Sequence, residues 1–163
     1  MKPTKKIIII AGISVLVVGV IIAGILIWRG VVGSNSNGLR PDYKTALPSG
    51  TSIDKLGGWE RVSPPDKDPV FAFTDKIGEV SITVSEQPLP SSFKSDTNGK
   101  VAELAKAYSA TTILDAKGTK VYIGTSAKGP QSTIFTKNEL LILIKSQAKI
   151  SDDAWIAYIN SLK

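Results

Sequence analysis

The sequence predicts an α+β domain carried behind an N-terminal membrane helix. The expected domain is an antiparallel sheet of about six or seven strands with two helices on one face, in the order β-β-β-α-β-β-β-β-α. Three observations lead there. An opening apolar stretch gives way to a Gly/Ser/Asn/Pro-rich segment, short runs of period-2 apolar residues follow with turn residues between them, and two stretches switch to helical spacing.

The chain begins MKPTKKIIIIAGISVLVVGVIIAGILIWRG. From Ile7 to Trp28 it carries no charge, Pro, Asn or Gln, and Ser14 is the one polar side chain. At about 1.5 Å rise per residue this stretch makes a helix of roughly 33 Å, enough to cross a hydrocarbon core of about 30 Å. No face is polar, as a surface helix of a small soluble domain would require. A cleavable leader has a shorter apolar stretch and a small-x-small site; Val31-Val32-Gly33 is the nearest approach, and it lies beyond Arg29. The segment therefore reads as a retained anchor. Lys2, Lys5 and Lys6 precede it and only Arg29 follows closely, so residues 1–6 are expected in the cytoplasm and the C-terminal domain outside the cell membrane. The helix contacts the lipid bilayer through residues 7–28, and its small residues Gly12, Gly19 and Ala23 permit a weak transmembrane dimer, although such residues are common in membrane helices.

That topology accounts for most of the net charge of +6. Beyond Arg29 the remaining 16 basic residues nearly balance the 14 acidic ones, with no basic run, which argues against a nucleic-acid partner. The absence of His excludes imidazole bases and Ser-His-Asp systems. With Cys absent as well, the usual zinc, haem and iron–sulfur ligand sets are missing, as are disulfides, so the domain must be held by its own core.

Residues 29–50 lack periodicity and read as a flexible stalk, leaving 51–163 as the extracytoplasmic domain. GGWERV and VFAFTD are expected strands, separated by the breaker SPPDKDP. EVSITVSEQ sets Val80, Ile82 and Val84 on one face and Ser81, Thr83 and Ser85 on the other. QPLP ends that strand. A helix follows, opened by Asp96 or Thr97, with Val101, Leu104, Ala105 and Tyr108 at helical spacing. TTILDA turns at Lys117-Gly118 into TKVYIGTS, Gly129-Pro130 breaks the chain, and STIFT turns at Lys137-Asn138 into ELLILIKS. LLILI has no polar alternate and reads as a central strand covered on both faces. Ser151 caps the last helix, on which Trp155, Ile159 and Leu162 share a face.

Candidate chemistry is sparse. Glu60, Asp75, Glu79 and Glu86 could pair as catalytic carboxylates, but nothing in their spacing joins them. Asp66 and Asp68 in SPPDKDP lack the ligand spacing of a calcium loop. Gly57-Gly58 is a turn and not a phosphate loop, since no GK[ST] follows. Trp59, Trp155 and the tyrosines could line a ligand groove, and the amphipathic setting of Trp155 favours core. A pilin would carry a processing site and an early Glu that are missing here, and a six-residue cytoplasmic tail is too short to hold a sigma factor. The stretch STIFTKNELLILIKSQAKISDDAWIAYINSL resembles the ending of small single-pass, membrane-anchored envelope proteins of unknown function from reduced-genome bacteria. More distantly it is similar to outer domains attached to Gram-positive sporulation and anti-sigma proteins, and the strand pattern is similar to PsbP-like sheets. The resemblance brings no catalytic or cofactor residue. The expected role is a binding or scaffold module that docks an envelope protein and is not an enzyme. A sensory or small-ligand-binding subunit is the alternative, followed by a carboxylate or Ser-Lys hydrolase.

Overall fold

A computed structural model describes residues 40–163. The expected cytoplasmic tail, the membrane helix with Gly12, Gly19 and Ala23, and the first part of the stalk lie outside the described residues. Among the described residues no helix is long and apolar enough to cross a membrane.

A 3-10 turn at Ile53–Leu56 leads into β1 (Glu60–Arg61), β2 (Phe71–Ile77) and β3 (Val80–Pro88). Helix α1 (Thr97–Ala107) then precedes β4 (Ala110–Ala116), β5 (Thr119–Thr125), β6 (Gln131–Lys137) and β7 (Leu140–Ser146), and α2 (Asp152–Ser161) closes the chain. The strands form one antiparallel sheet of seven in the order β1-β2-β3-β7-β6-β5-β4. Two meanders, β1–β3 and β4–β7, meet where β3 pairs with β7, and α1 carries the chain from the sheet centre to its far edge.

The element order is the expected one, and local chemistry explains much of it. Asp96 caps α1, its Oδ1 accepting from the Gly99 N–H at 3.0 Å, and Ser151 caps α2 by accepting from Ala154 N–H at 3.4 Å. Lys137 donates to the Ile159 carbonyl at 2.7 Å and so satisfies the last turn of α2. The β4–β5 hairpin turns at Lys117-Gly118, where φ is 51° and 84°. The β6–β7 turn is Asn138-Glu139, one residue later than expected, because Lys137 still pairs with Leu140. GGWERV keeps only two strand residues: the chain leaves the sheet into Pro64-Pro65, and the Arg61 guanidinium gathers the carbonyls of Pro64, Pro65 and Lys67.

Two expectations need correction. The helices do not share a face. Trp155, Tyr158 and Ile159 of α2 pack with Ile82, Val84, Phe135, Ile142 and Ile144, whereas Val101, Leu104 and Ala105 of α1 pack with Tyr122, Ile134, Leu141 and Leu143. The reason lies in β5–β7, whose residues are apolar on both sides. A single helical layer would leave the second side bare, and the result is helix–sheet–helix.

The second correction concerns the domain boundary. Residues 43–49 are part of the fold and not of a stalk. Leu47 and Lys163 exchange backbone hydrogen bonds of 3.2 and 2.9 Å, Ser49 N–H donates to the Ser161 carbonyl at 2.8 Å, and Ala46 is fully buried. This strap lies on the α2 side of the sheet and sews the start of the domain to its end. A fragment starting at Thr51 should therefore be less stable than one starting at Arg40, by about 2–4 kcal/mol for the lost burial and hydrogen bonds. Equal urea midpoints for the two fragments would show that the strap contributes nothing.

Candidate functional site

The group that departs most from ordinary core chemistry is Glu86. It continues the Val80-Ile82-Val84 side of β3 and so points to the α2 face, opposite Phe71 on β2 and Ile142 on β7. Its exposure is 0%. Oε2 accepts the Ala46 N–H at 3.1 Å, while Oε1 has no hydrogen-bond partner within the protein. Burial pushes its carboxyl up to about 7, opposed by the Ala46 N–H, which favours the charged form.

Two tyrosines from other elements hydrogen-bond to β3 and β2 on this face. Tyr43 of the strap donates its hydroxyl to the Glu86 backbone carbonyl at 2.7 Å, and its ring packs on Phe71 at 6.2 Å. Tyr158 of α2 donates to Asp75 Oδ2 at 3.0 Å. Burial raises both phenols, Tyr43 further through the Glu86 charge and Tyr158 through Asp75 and then Glu86. Ala46 and Tyr43 thus join the strap to Glu86 on the sheet, while Tyr158 joins the last helix to Asp75. A neutral Glu86 suits the site; an ionised one has only the Ala46 N–H to compensate its lost hydration.

The carboxylates that could have paired do not converge. Glu60 lies on β1 opposite Ala72, and Glu79 sits exposed in the β2–β3 turn. Asp75 shares a face with Glu86, but the residue of β2 opposite Glu86 is Phe71, four positions away, which is roughly 13 Å along a strand. Carboxyl pairs in glycosidases stand about 5–9.5 Å apart. In the Pro-rich loop the carbonyls that could join Asp66 and Asp68 around a cation already accept from Arg61. Among the described residues no group of three or more His, Cys, Asp or Glu side chains is placed to hold a metal.

Trp59 and Trp155 are core. Trp59 meets Phe71 and Phe73 edge-on at 6.3 and 5.3 Å. Trp155 is fully buried, and its Nε1 donates to Gln131 Oε1 at 3.0 Å. Gln131 also accepts from Ile150 N–H at 2.7 Å and donates to Thr125 Oγ1 at 3.2 Å, so one side chain organises the β7–α2 connection. A lysine beside hydroxyls does occur: Lys145 stands between Thr83 and Ser132 on the α1 side, and partial burial lowers its ammonium pKa. All three are partly buried.

Sequence reasoning missed Glu86 as a buried group, together with Tyr43, Ala46 and Gln131. For Glu86 a signal exists, since it occupies the next position on the apolar side of a period-2 strand. Fold and site together define an antiparallel α+β domain with a sealed carboxyl at its chain entrance. Comparison with protein-family models, curated proteins and solved structures finds no match to this chain.

Proposed function

We propose that the chain is a single-pass, membrane-anchored binding or scaffold module, with its N-terminus in the cytoplasm and its folded domain outside the membrane. The observation that carries this reading is the join between two unlike parts. A charge-free stretch from Ile7 to Trp28 leads, after about 14 residues, into a domain whose entrance is fastened to its own C-terminus. Those residues span at most roughly 50 Å fully extended, so whatever the domain docks lies close to the bilayer. The scattered carboxylates support docking over catalysis. A second reading, a sensory subunit, is favoured by Glu86, whose protonation is tied to the strap leading toward the anchor.

Protease added to intact, wall-stripped cells should digest the domain, and the mature N-terminus should precede Ile7. A protected domain, or an N-terminus near Ser34, would reject the anchored reading.

A further inference from the structure

The two edges of the sheet are finished differently. β1 is two residues long, and the chain beyond it leaves through the loop gathered by Arg61. At the other edge β4 runs for seven residues, with β5 on one side and no strand on the other. The two-residue turn at Lys117-Gly118 makes Ala116 and Thr119 a hydrogen-bonded pair. By alternation, the N–H and C=O groups of Ile113 and Asp115 then point outward. Natural edges of this length are commonly blunted by lysine or proline. ATTILDA contains neither, and its bulge between Ala110 and Thr112 interrupts only the beginning.

The outward-facing residues include an apolar one. Ile113 is the large hydrophobic side chain left exposed among the described residues, at 63%. It ends a continuous row across four strands: Leu143 opposes Ile134, Ile134 opposes Tyr122, and Tyr122 opposes Ile113. The first three are buried beneath α1, and the row stops at solvent.

We propose that a second copy of this chain docks on this edge, β4 against β4 in antiparallel pairing, with Ile113 opposite its own counterpart. Outward-facing residues must oppose outward-facing residues, which leaves Ile113 facing its counterpart, Asp115 or Thr111, and the Thr111 register centres the pairing on the bulge. The first register joins the two apolar rows and sets Asp115 beside Thr111. The second presses a carboxylate against an isoleucine. Pairing of this kind is isologous, so each edge is used once and the assembly closes at two copies. The two-fold axis is perpendicular to the continuous sheet at the seam. The stretch of about 14 residues before each strap lets both chains descend to one membrane, a point that rests on the anchored reading. The bulge keeps the pairing short and its affinity in free solution low, and confinement of two anchored copies to a bilayer raises their effective concentration.

The chain has no cysteine, so single cysteines report on contacts directly. Full-length variants in vesicles would be treated with a thiol oxidant. Ile113→Cys should give covalent dimer at least about tenfold above Glu79→Cys, since paired strands bring opposed Cα atoms to about 5.5 Å. Thr111→Cys and Asp115→Cys should each give little dimer alone and abundant dimer when mixed. Adding Ile113→Pro to the mixed pair removes one outward N–H and should abolish the dimer while leaving the melting temperature nearly unchanged.

Vesicle flotation reads anchorage separately. Chain that floats without an Ile113 dimer overturns edge pairing and leaves the anchor standing. Chain that fails to float overturns the anchor, and oxidation of the same chain at high concentration then decides the edge. Equal dimer at positions 79, 111, 113 and 115 would mean proximity without this register, and overturns it. In cell membranes, an Ile113→Cys adduct of another mass in place of the dimer would assign the edge to a different protein's strand, which also overturns the second copy.

Discussion

Replacing Trp155 with alanine should destabilise the domain by about 3–5 kcal/mol, a large share of the 5–15 kcal/mol typical of a whole domain. The indole is fully buried where α2 crosses the sheet, among Phe135, Ile142 and Ile144. Its removal leaves a cavity and also strips Gln131 Oε1 of one of its two donors. Trp155→Phe should cost less, because it keeps most of the volume and loses chiefly the N–H. Thermal melts of the two variants check this. A ligand-site tryptophan would show the opposite pattern, with stability nearly intact, and an unchanged melting temperature for Trp155→Ala would remove it from the core.

Glu86→Gln should stabilise the domain at alkaline pH and flatten its pH dependence. The folded-state pKa of Glu86 is raised to about 7, whereas an unfolded glutamate titrates near 4.3. The native state therefore binds the proton more tightly. The resulting stability is fully present below about pH 4, declines as pH rises through the window, and is lost above about pH 7. The full span is on the order of 3 kcal/mol. Glutamine retains an oxygen for the Ala46 N–H and cannot ionise. Urea midpoints for the two proteins should then converge near pH 4 and diverge by pH 8.5, with the variant more stable. Parallel profiles across that range would mean that Glu86 is not buried as a proton-binding group. Tyr43 and Tyr158 both feel the Glu86 charge, but their phenols are raised above their ordinary range and stay neutral throughout the window.

Elements governed by local chemistry were legible in the sequence. The caps at Asp96 and Ser151, the turn at Lys117-Gly118 and the alternation of β3 each depend on residues a few positions apart. Trp155 was legible too, because a helix following an apolar strand by a short connection must fold back over it. Long-range choices were not. That β3 pairs with β7 rather than with an edge follows from the whole arrangement and from no single motif. The strap escaped notice because Tyr43, Ala46 and Leu47 bury themselves at irregular spacing.

The faces of the helices were within reach of the sequence. LLILI without a polar alternate requires cover on two sides, and two helices on one face cannot provide it. The same parity would have exposed Glu86: extending Val80, Ile82 and Val84 by one step places a carboxylate in the core. Gln131 carried no comparable signal, since a polar residue at the start of a strand is ordinary until its partners, Trp155 and Ile150, are known.

The anchored reading proposed above places this domain outside a membrane to which its own N-terminal segment holds it. Lys128→Cys, at an exposed position in the β5–β6 connection of an otherwise cysteine-free chain, tests it most directly. A membrane-impermeant maleimide should label this cysteine on intact, wall-stripped cells, and the labelled chain should stay with the membranes through an alkaline carbonate wash. Labelling only after lysis, or release of the chain by the wash, would contradict the account.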